Sequence, residues 1–260
     1  MEVYKVRFGT PERGWVVLVH GLGEHSGRYG RLIKLLNENG FGVYAFDWPG
    51  HGKSPGKRGH TSVEGAMEII DSIIEELGEN PFLFGHSLGG LTVIRYAEAR
   101  PDKIRGVIAS SPALAKSPET PDFMVALAKF LGRIAPGLTL SNGIKPELLS
   151  RNRDAVRRYV EDPLVHDRIS AKLGRSIFVN MDLAHREAEN IRVPILLLVG
   201  TGDVITPPKG AKDLFKKLKV EDKELKEFPG AYHEIFEDPE WGEEFHKTIV
   251  EWLLQHSEEG

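Results

Sequence analysis

The sequence predicts an α/β fold in which helices flank a mostly parallel central sheet of seven or eight strands, with a helical insertion late in the chain. Three observations carry this. Along most of the 260 residues, apolar runs of strand length alternate with amphipathic stretches of helical period, the pattern of βαβ units. Runs such as Trp15-Val-Val-Leu-Val19 are apolar throughout, as strands covered on both faces are. The alternation then breaks between Pro112 and Asn190, where helical patterns follow one another with no strand between them.

Taken in order, Glu2 to Phe8 alternates apolar with polar residues and reads as an edge strand. A turn at Thr10-Pro-Glu-Arg-Gly14 leads to the Trp15–Val19 strand and the loop from His20 to Tyr29. Arg31 to Asn39 is an amphipathic helix closed by Gly40. The strand from Phe41 to Phe46 precedes a Gly/Pro-rich loop that runs to His60. Ser62 to Leu77 is a helix with Val63, Met67, Ile70 and Ile74 on one stripe. Pro81 to Phe84 is a short buried strand, and Leu91 to Arg100 a helix stopped by Pro101. Ile104 to Ala109 is the next strand. Inside the insertion, Pro121–Ala135, Arg153–Val160 and Ala171–Glu189 have helical spacing. Phe123, Met124, Leu127, Phe130, Leu131 and Ile134 are expected in the core, with a role as pocket lining the other option. Val193 to Val199 resumes the sheet, the helix Gly210–Leu218 follows, Glu224 to Phe228 is the last strand, and Pro239 to His256 closes the chain. Residues 1–111 and 191–260 therefore form the core and 112–190 a cap inserted into it.

Composition is that of an ordinary soluble protein, 40% hydrophobic and 28% charged. A net charge of −4 gives no pull toward nucleic acid. The charged N-terminal stretch Met1 to Phe8 lacks the apolar core of a signal peptide, and no apolar run reaches the ~18 residues of a membrane span; a cytoplasmic location is expected. There is no cysteine, so thiolate catalysis and disulfides are excluded. No His/carboxylate ligand spacing and no G-x-G-x-x-G after the first strand occur, so neither metal nor other cofactor is expected. Gln255 is the sole glutamine beside many Glu, Lys and Arg, a composition that suggests a thermophilic source.

The chemistry centres on Gly85-His-Ser-Leu-Gly-Gly90. Strand, G-x-S-x-G and helix in succession are the setting of a nucleophile elbow. Gly85 and Gly89 allow strand and helix to approach while Ser87 occupies a strained turn at a helix N-terminus, where developing negative charge is favoured. A serine hydroxyl needs a base. His233, just after the last strand, is the best placed of ten histidines, and Asp203, just after the preceding strand, is placed to orient it; loops at the carboxyl ends of parallel strands converge at one edge. The oxyanion donors would be the backbone N–H groups of Leu88 and Leu22. His86 either touches substrate or packs within the elbow. His51 is expected to be structural, and His166, His185, His246 and His256 solvated.

With His20-Gly-Leu-Gly-Glu-His-Ser-Gly-Arg-Tyr29, Phe46-Asp-Trp-Pro-Gly-His-Gly-Lys-Ser54, Gly56-Lys-Arg-Gly-His60, Gly85–Gly90, Asp162-Pro-Leu-Val165 and Gly202-Asp203 in view, the chain resembles the monoacylglycerol lipase and lysophospholipase branch of the α/β-hydrolases. The resemblance implies an α/β-hydrolase fold and hydrolysis of the single ester of a monoacylglycerol, a small lipid substrate. Its nucleophile, acid and base fall on Ser87, Asp203 and His233, in the order that superfamily uses, and its oxyanion donors on Leu22 and Leu88. Glu24, Arg28 and His86 fall where polar groups contact the glycerol head, although Glu24 and Arg28 equally form an ion pair that fixes the loop. The cap would supply an apolar tunnel for the acyl chain, and apolar residues exposed on it would add transient membrane-surface contact. The short N-terminus departs from the family, leaving room for one strand before the His20 loop where relatives often have two. A broad carboxylesterase, a lysophospholipase and a non-catalytic member of the fold are the competing readings; dehalogenases and epoxide hydrolases need an aspartate where Ser87 stands.

Overall fold

The computed structural model describes residues 2–257. Seven strands form the main sheet. β1 (Lys5–Phe8), β2 (Trp15–Val19), β3 (Gly42–Phe46), β4 (Phe82–His86) and β5 (Gly106–Ser110) come before the insertion. Within it, β6 (Thr139–Ser141) and β7 (Arg168–Ser170) pair as a separate antiparallel ribbon. β8 (Ile195–Gly200) and β9 (Lys223–Phe228) complete the sheet, whose order is β1-β3-β2-β4-β5-β8-β9, parallel except for β1. The sheet thus has seven strands among the described residues; two of them, β1 and β2, precede the His20 loop where room for one was expected, and the first is shorter than its alternating pattern suggests.

Period-2 alternation divides the apolar strands between two cores. Val17, Val19, Leu83, Val107 and Leu197 face α2 (Val63–Leu77), α3 (Leu88–Ala99) and α7 (Lys209–Lys217). Val16, Leu18, Phe84, Ile108 and Leu196 face α1 (Gly30–Glu38) and α8 (Gly242–Ser257). Ser62 caps α2 by accepting from Gly65 N, and Gly78 closes it at φ +69°. No helix among the described residues is long and apolar enough to cross a membrane.

The insertion holds α4 (Asp122–Ile134), α5 (Arg153–Glu161) and α6 (Ala171–Glu187). Leu173 and Ala184 of α6 join the first core. α4 rests against α6 but buries none of its side chains. This overturns the core expectation for its apolar stripe: Phe123, Phe130 and Ile134 are 68%, 57% and 62% exposed. Helical period shows which residues share a face, not what lies opposite, and here nothing does. The ribbon anchors the insertion on the loops below. Ser170 N donates to Gly59 O, and His166 N donates to Gly23 O in the His20 loop. His246, expected in solvent, is 3% exposed and donates from Nδ1 to Gly242 O; its burial lowers its pKa to about 4.

Candidate active site

Ser87 sits between β4 and α3 at φ 56°, ψ −115°, left-handed backbone for a residue with a Cβ. The residues two positions to either side must be glycine. A Cβ on Gly85 would lie 2.2 Å from Gly89 O, and one on Gly89 2.0 Å from Val19 O. The turn is held by main-chain bonds alone: Ser87 N donates to Ser110 O, and Ser87 O accepts from Leu91 N and Ala113 N. The Ser87 hydroxyl has no hydrogen-bond partner among the described residues, so no bond yet joins it to His233.

Asp203 and His233 are joined, His233 Nδ1 lying 2.8 Å from Asp203 Oδ2. Both are buried. Asp203 is fixed by its own loop, since Oδ1 accepts from Ile205 N and Thr206 N, an Asx turn. Burial opposes the charge on each partner, but their mutual attraction and hydrogen bonds win: the Asp203 pKa is lowered and the His233 pKa raised. The two shifts agree in favouring the ion pair. His233 stands 4.8 Å ring to ring from His86, the residue before Ser87, and Ser111 Oγ donates to His233 O from the end of β5. Ser111 is a second non-glycine in left-handed backbone, at φ 42°.

The His20 loop lies against the nucleophile: a Cβ on Gly21 would be 3.2 Å from Ser87 Cβ. His20 fastens it. Its Nε2 accepts from Trp48 N at 3.1 Å, so its proton is on Nδ1 and goes to Gly21 O at 2.8 Å. Leu22 N–H has no acceptor among the described residues, and Leu88 N–H opens α3, where the helix supplies none. Both main-chain donors are therefore without an acceptor among the described residues.

Glu24 and Arg28 form an ion pair at 2.7 Å, and Arg28 continues to both carboxylate oxygens of Glu234 at 2.7 and 2.9 Å. Glu24 Oε1 also accepts from Gly21 N and Tyr29 Oη, and the Arg28 guanidinium lies over Tyr159, 4.7 Å from the ring centre. Burial alone would raise the Glu24 pKa, but Arg28 and the donors around it bring it to about 2. The cluster ties the His20 loop to the loop carrying His233. His86 is buried against Tyr29, Phe236 and His233, with Nδ1 3.2 Å from Ser110 Oγ; burial, then His233, lower its pKa to about 3, so it is neutral.

Glu234, Tyr159, Ser111 and Thr206 were not singled out in the sequence. Only Thr206 leaves a signal there, an Asp-x-x-Thr spacing that suits a side-chain-capped turn.

A family model described as "Serine aminopeptidase, S33" matches residues 10–240. The chain belongs to that family, in the monoacylglycerol lipase branch of the α/β-hydrolases. It is 32% identical to a monoacylglycerol lipase of Mycolicibacterium smegmatis, covering 95% of this chain and 90% of that one. With the Homo sapiens monoglyceride lipase the identity is 34%, over 96% and 84% of the two chains. A crystal structure of Paleococcus ferrophilus monoacylglycerol lipase superposes with a TM-score of 0.98 at 79% identity, covering 98% of this chain and all of that one.

Proposed function

We propose that this chain is a serine hydrolase that cleaves the ester of monoacylglycerols to fatty acid and glycerol. The observation that carries the reading is the buried Asp203–His233 pair set beside an elbow serine whose hydroxyl is free. His233 Nε2 takes the Ser87 proton as Oγ attacks the ester carbonyl. Leu22 and Leu88 N–H groups receive the oxyanion. The C–O bond to glycerol then breaks and His233 returns the proton to the glycerol oxygen. Water repeats the sequence on the acyl-serine, releasing the acid.

Relatives named as monoacylglycerol lipases support the substrate. An aminopeptidase needs a free carboxylate to grip the substrate ammonium; Glu24 and Glu234, the acidic groups nearest the site beyond Asp203, are both already bonded to Arg28. Residues 112–190 act as the cap. A 410 Å³ cleft between α4, α6 and α7 is lined by Leu114, Val125, Phe178 and Met181 together with charged Lys116, Asp122, Asp182, Lys209 and Asp213, and its apolar residues offer one acyl chain a surface. It lies one residue from Ala113, whose N–H holds Ser87 O. Glu24 and Arg28 serve the glycerol head by fixing the loop around it, and His86 borders the head directly. A rate profile over mono-, di- and triacylglycerols, lysophospholipids, short p-nitrophenyl esters and an aminoacyl p-nitroanilide tests this. Preference for monoacylglycerols is expected; a p-nitroanilide or lysophospholipid preference would overturn it.

Because His233 must be neutral to act, and its pKa is raised above 6.5, kcat/KM is expected to fall toward acid with a midpoint above pH 6.5. A profile still flat at pH 6 would contradict the assignment of the base.

The bare face of α4 would rest on lipid while substrate is drawn in. Serine at Phe123, Phe130 and Ile134 together is expected to abolish flotation with phosphatidylcholine vesicles while soluble-ester rates stay within about 2-fold, since the face touches no site residue. Unchanged flotation would refute that contact.

A further inference from the structure

Besides Asp203, one side chain reaches His233 Nδ1. Thr206 Oγ1 lies 3.0 Å from that nitrogen, 2.8 Å from Asp203 Oδ2 and 2.9 Å from Ser111 O. The last two can only accept, because a main-chain carbonyl has no proton and the lowered pKa of Asp203 keeps it a carboxylate. The hydroxyl owns one proton, and one of these two acceptors takes it. Toward His233 it therefore offers a lone pair, and Nδ1 must be the donor.

We propose that Thr206 is a positioning residue for the base: its hydroxyl, whose one proton goes to Ser111 O or Asp203 Oδ2, accepts alongside Asp203 from His233 Nδ1–H and so fixes the tautomer that leaves Nε2 free for Ser87. This rests on the Ser87–Asp203–His233 reading and deepens it. The surroundings are built for the task. Thr206 is buried. Its own N–H goes to Asp203 Oδ1, so main chain and side chain of one residue face both carboxylate oxygens. Pro207 follows, fixing its own φ and restricting the Thr206 backbone to extended conformations. Ser111, in left-handed backbone, sends its carbonyl to Thr206 and its hydroxyl to His233 O. One strained residue thereby holds both the imidazole's loop and the hydroxyl that faces the ring.

The oxygen end of the hydroxyl dipole faces the imidazole, so it also favours the imidazolium formed when Ser87 gives up its proton. The titratable and charged groups facing the ring are Asp203, Glu234, Glu24 and His86; of these only Asp203 bonds the Thr206 hydroxyl and feels its loss.

The test uses Thr206→Val, which keeps the branched shape and removes the hydroxyl, Thr206→Ala, and Thr206→Ser, which keeps the hydroxyl. The two hydroxyl-less variants are expected to lose on the order of 10-fold in kcat with KM little changed, as for a lost hydrogen bond to a group that becomes charged. Their acid limb should move to lower pH. Thr206→Ser should restore both rate and midpoint. Wild-type kcat and pH midpoint in Val and Ala would overturn the proposal, as would a Ser variant as impaired as Ala, which would mean the methyl matters and not the hydroxyl. Should Val not fold, Ala against Ser decides by the same criteria. Failure of the underlying reading is separable: Ser87→Ala would then keep its turnover, whatever Thr206 does.

Discussion

Replacing Ser87 by alanine is expected to lower kcat by about 10⁴- to 10⁶-fold, the scale of losing the nucleophile of a triad, with no loss of fold. The structure separates these two outcomes. Every hydrogen bond Ser87 makes is through its main chain, to Ser110 O, Leu91 N and Ala113 N. Alanine keeps all of them, and it also keeps the Cβ, so the left-handed backbone at φ 56° is no more strained than before. The hydroxyl that is lost has no partner to leave unsatisfied. Stability should change by no more than about 0.5 kcal/mol, the ordinary range where no buried contact is broken. Leu22 and Leu88 N–H groups would still polarise a bound ester, so a residue of activity above the uncatalysed rate should survive. A fluorophosphonate should label the parent chain once, at Ser87, and the variant not at all. Turnover of the variant within 10-fold of the parent would remove Ser87 from the chemistry.

The fold was legible where burial is set by the chain's own pattern. Trp15–Val19 and Val193–Val199 are apolar on both sides because helices cover both faces of an interior strand, and β2 and β8 stand there. The elbow was legible because sterics permit few residues at Gly85 and Gly89. What was not legible depended on partners remote in sequence. Arg28 meets Glu234 across 206 positions, and no local pattern announces such a pair. β6 and β7 are three residues each, too short for a period to show. α4 has the stripe of a packed helix and lacks only the surface that would cover it. His246 lies in a polar stretch, yet its side chain turns beneath α8 toward Phe245. For the site, loop order and strand ends pointed to Asp203 and His233, but the hydroxyl that shares Nδ1 with Asp203 is visible only once three loops are folded together.

Asp203→Asn should cost nearly as much activity as loss of the nucleophile, about 10⁴-fold in kcat, through a change of one proton. In the parent, Oδ1 is committed to Ile205 N and Thr206 N, while Oδ2 faces His233 Nδ1 and Thr206 Oγ1. Asparagine has one oxygen, and the two main-chain donors claim it. The amide NH2 is left facing Nδ1, and two donors cannot share that contact. The ring is driven to the tautomer with its proton on Nε2, where it cannot take another from Ser87. The variant also loses the ion pair, and the pH dependence of that loss has a definite sign. Asp203 has a lowered pKa, so its share of stability is present above about pH 3.9, the unfolded carboxylate value, and is lost as pH falls through the folded value. His233 has a raised pKa, so its share is fully present below about pH 6.5 and is lost as pH rises through the folded value. Parent and variant should therefore differ most in melting temperature between about pH 4 and 6.5, and the gap should narrow at alkaline pH as the parent's imidazolium is lost. A gap that widens toward alkaline pH, or a kcat within 100-fold of the parent, would mean that Asp203 holds its loop and does not set the state of His233.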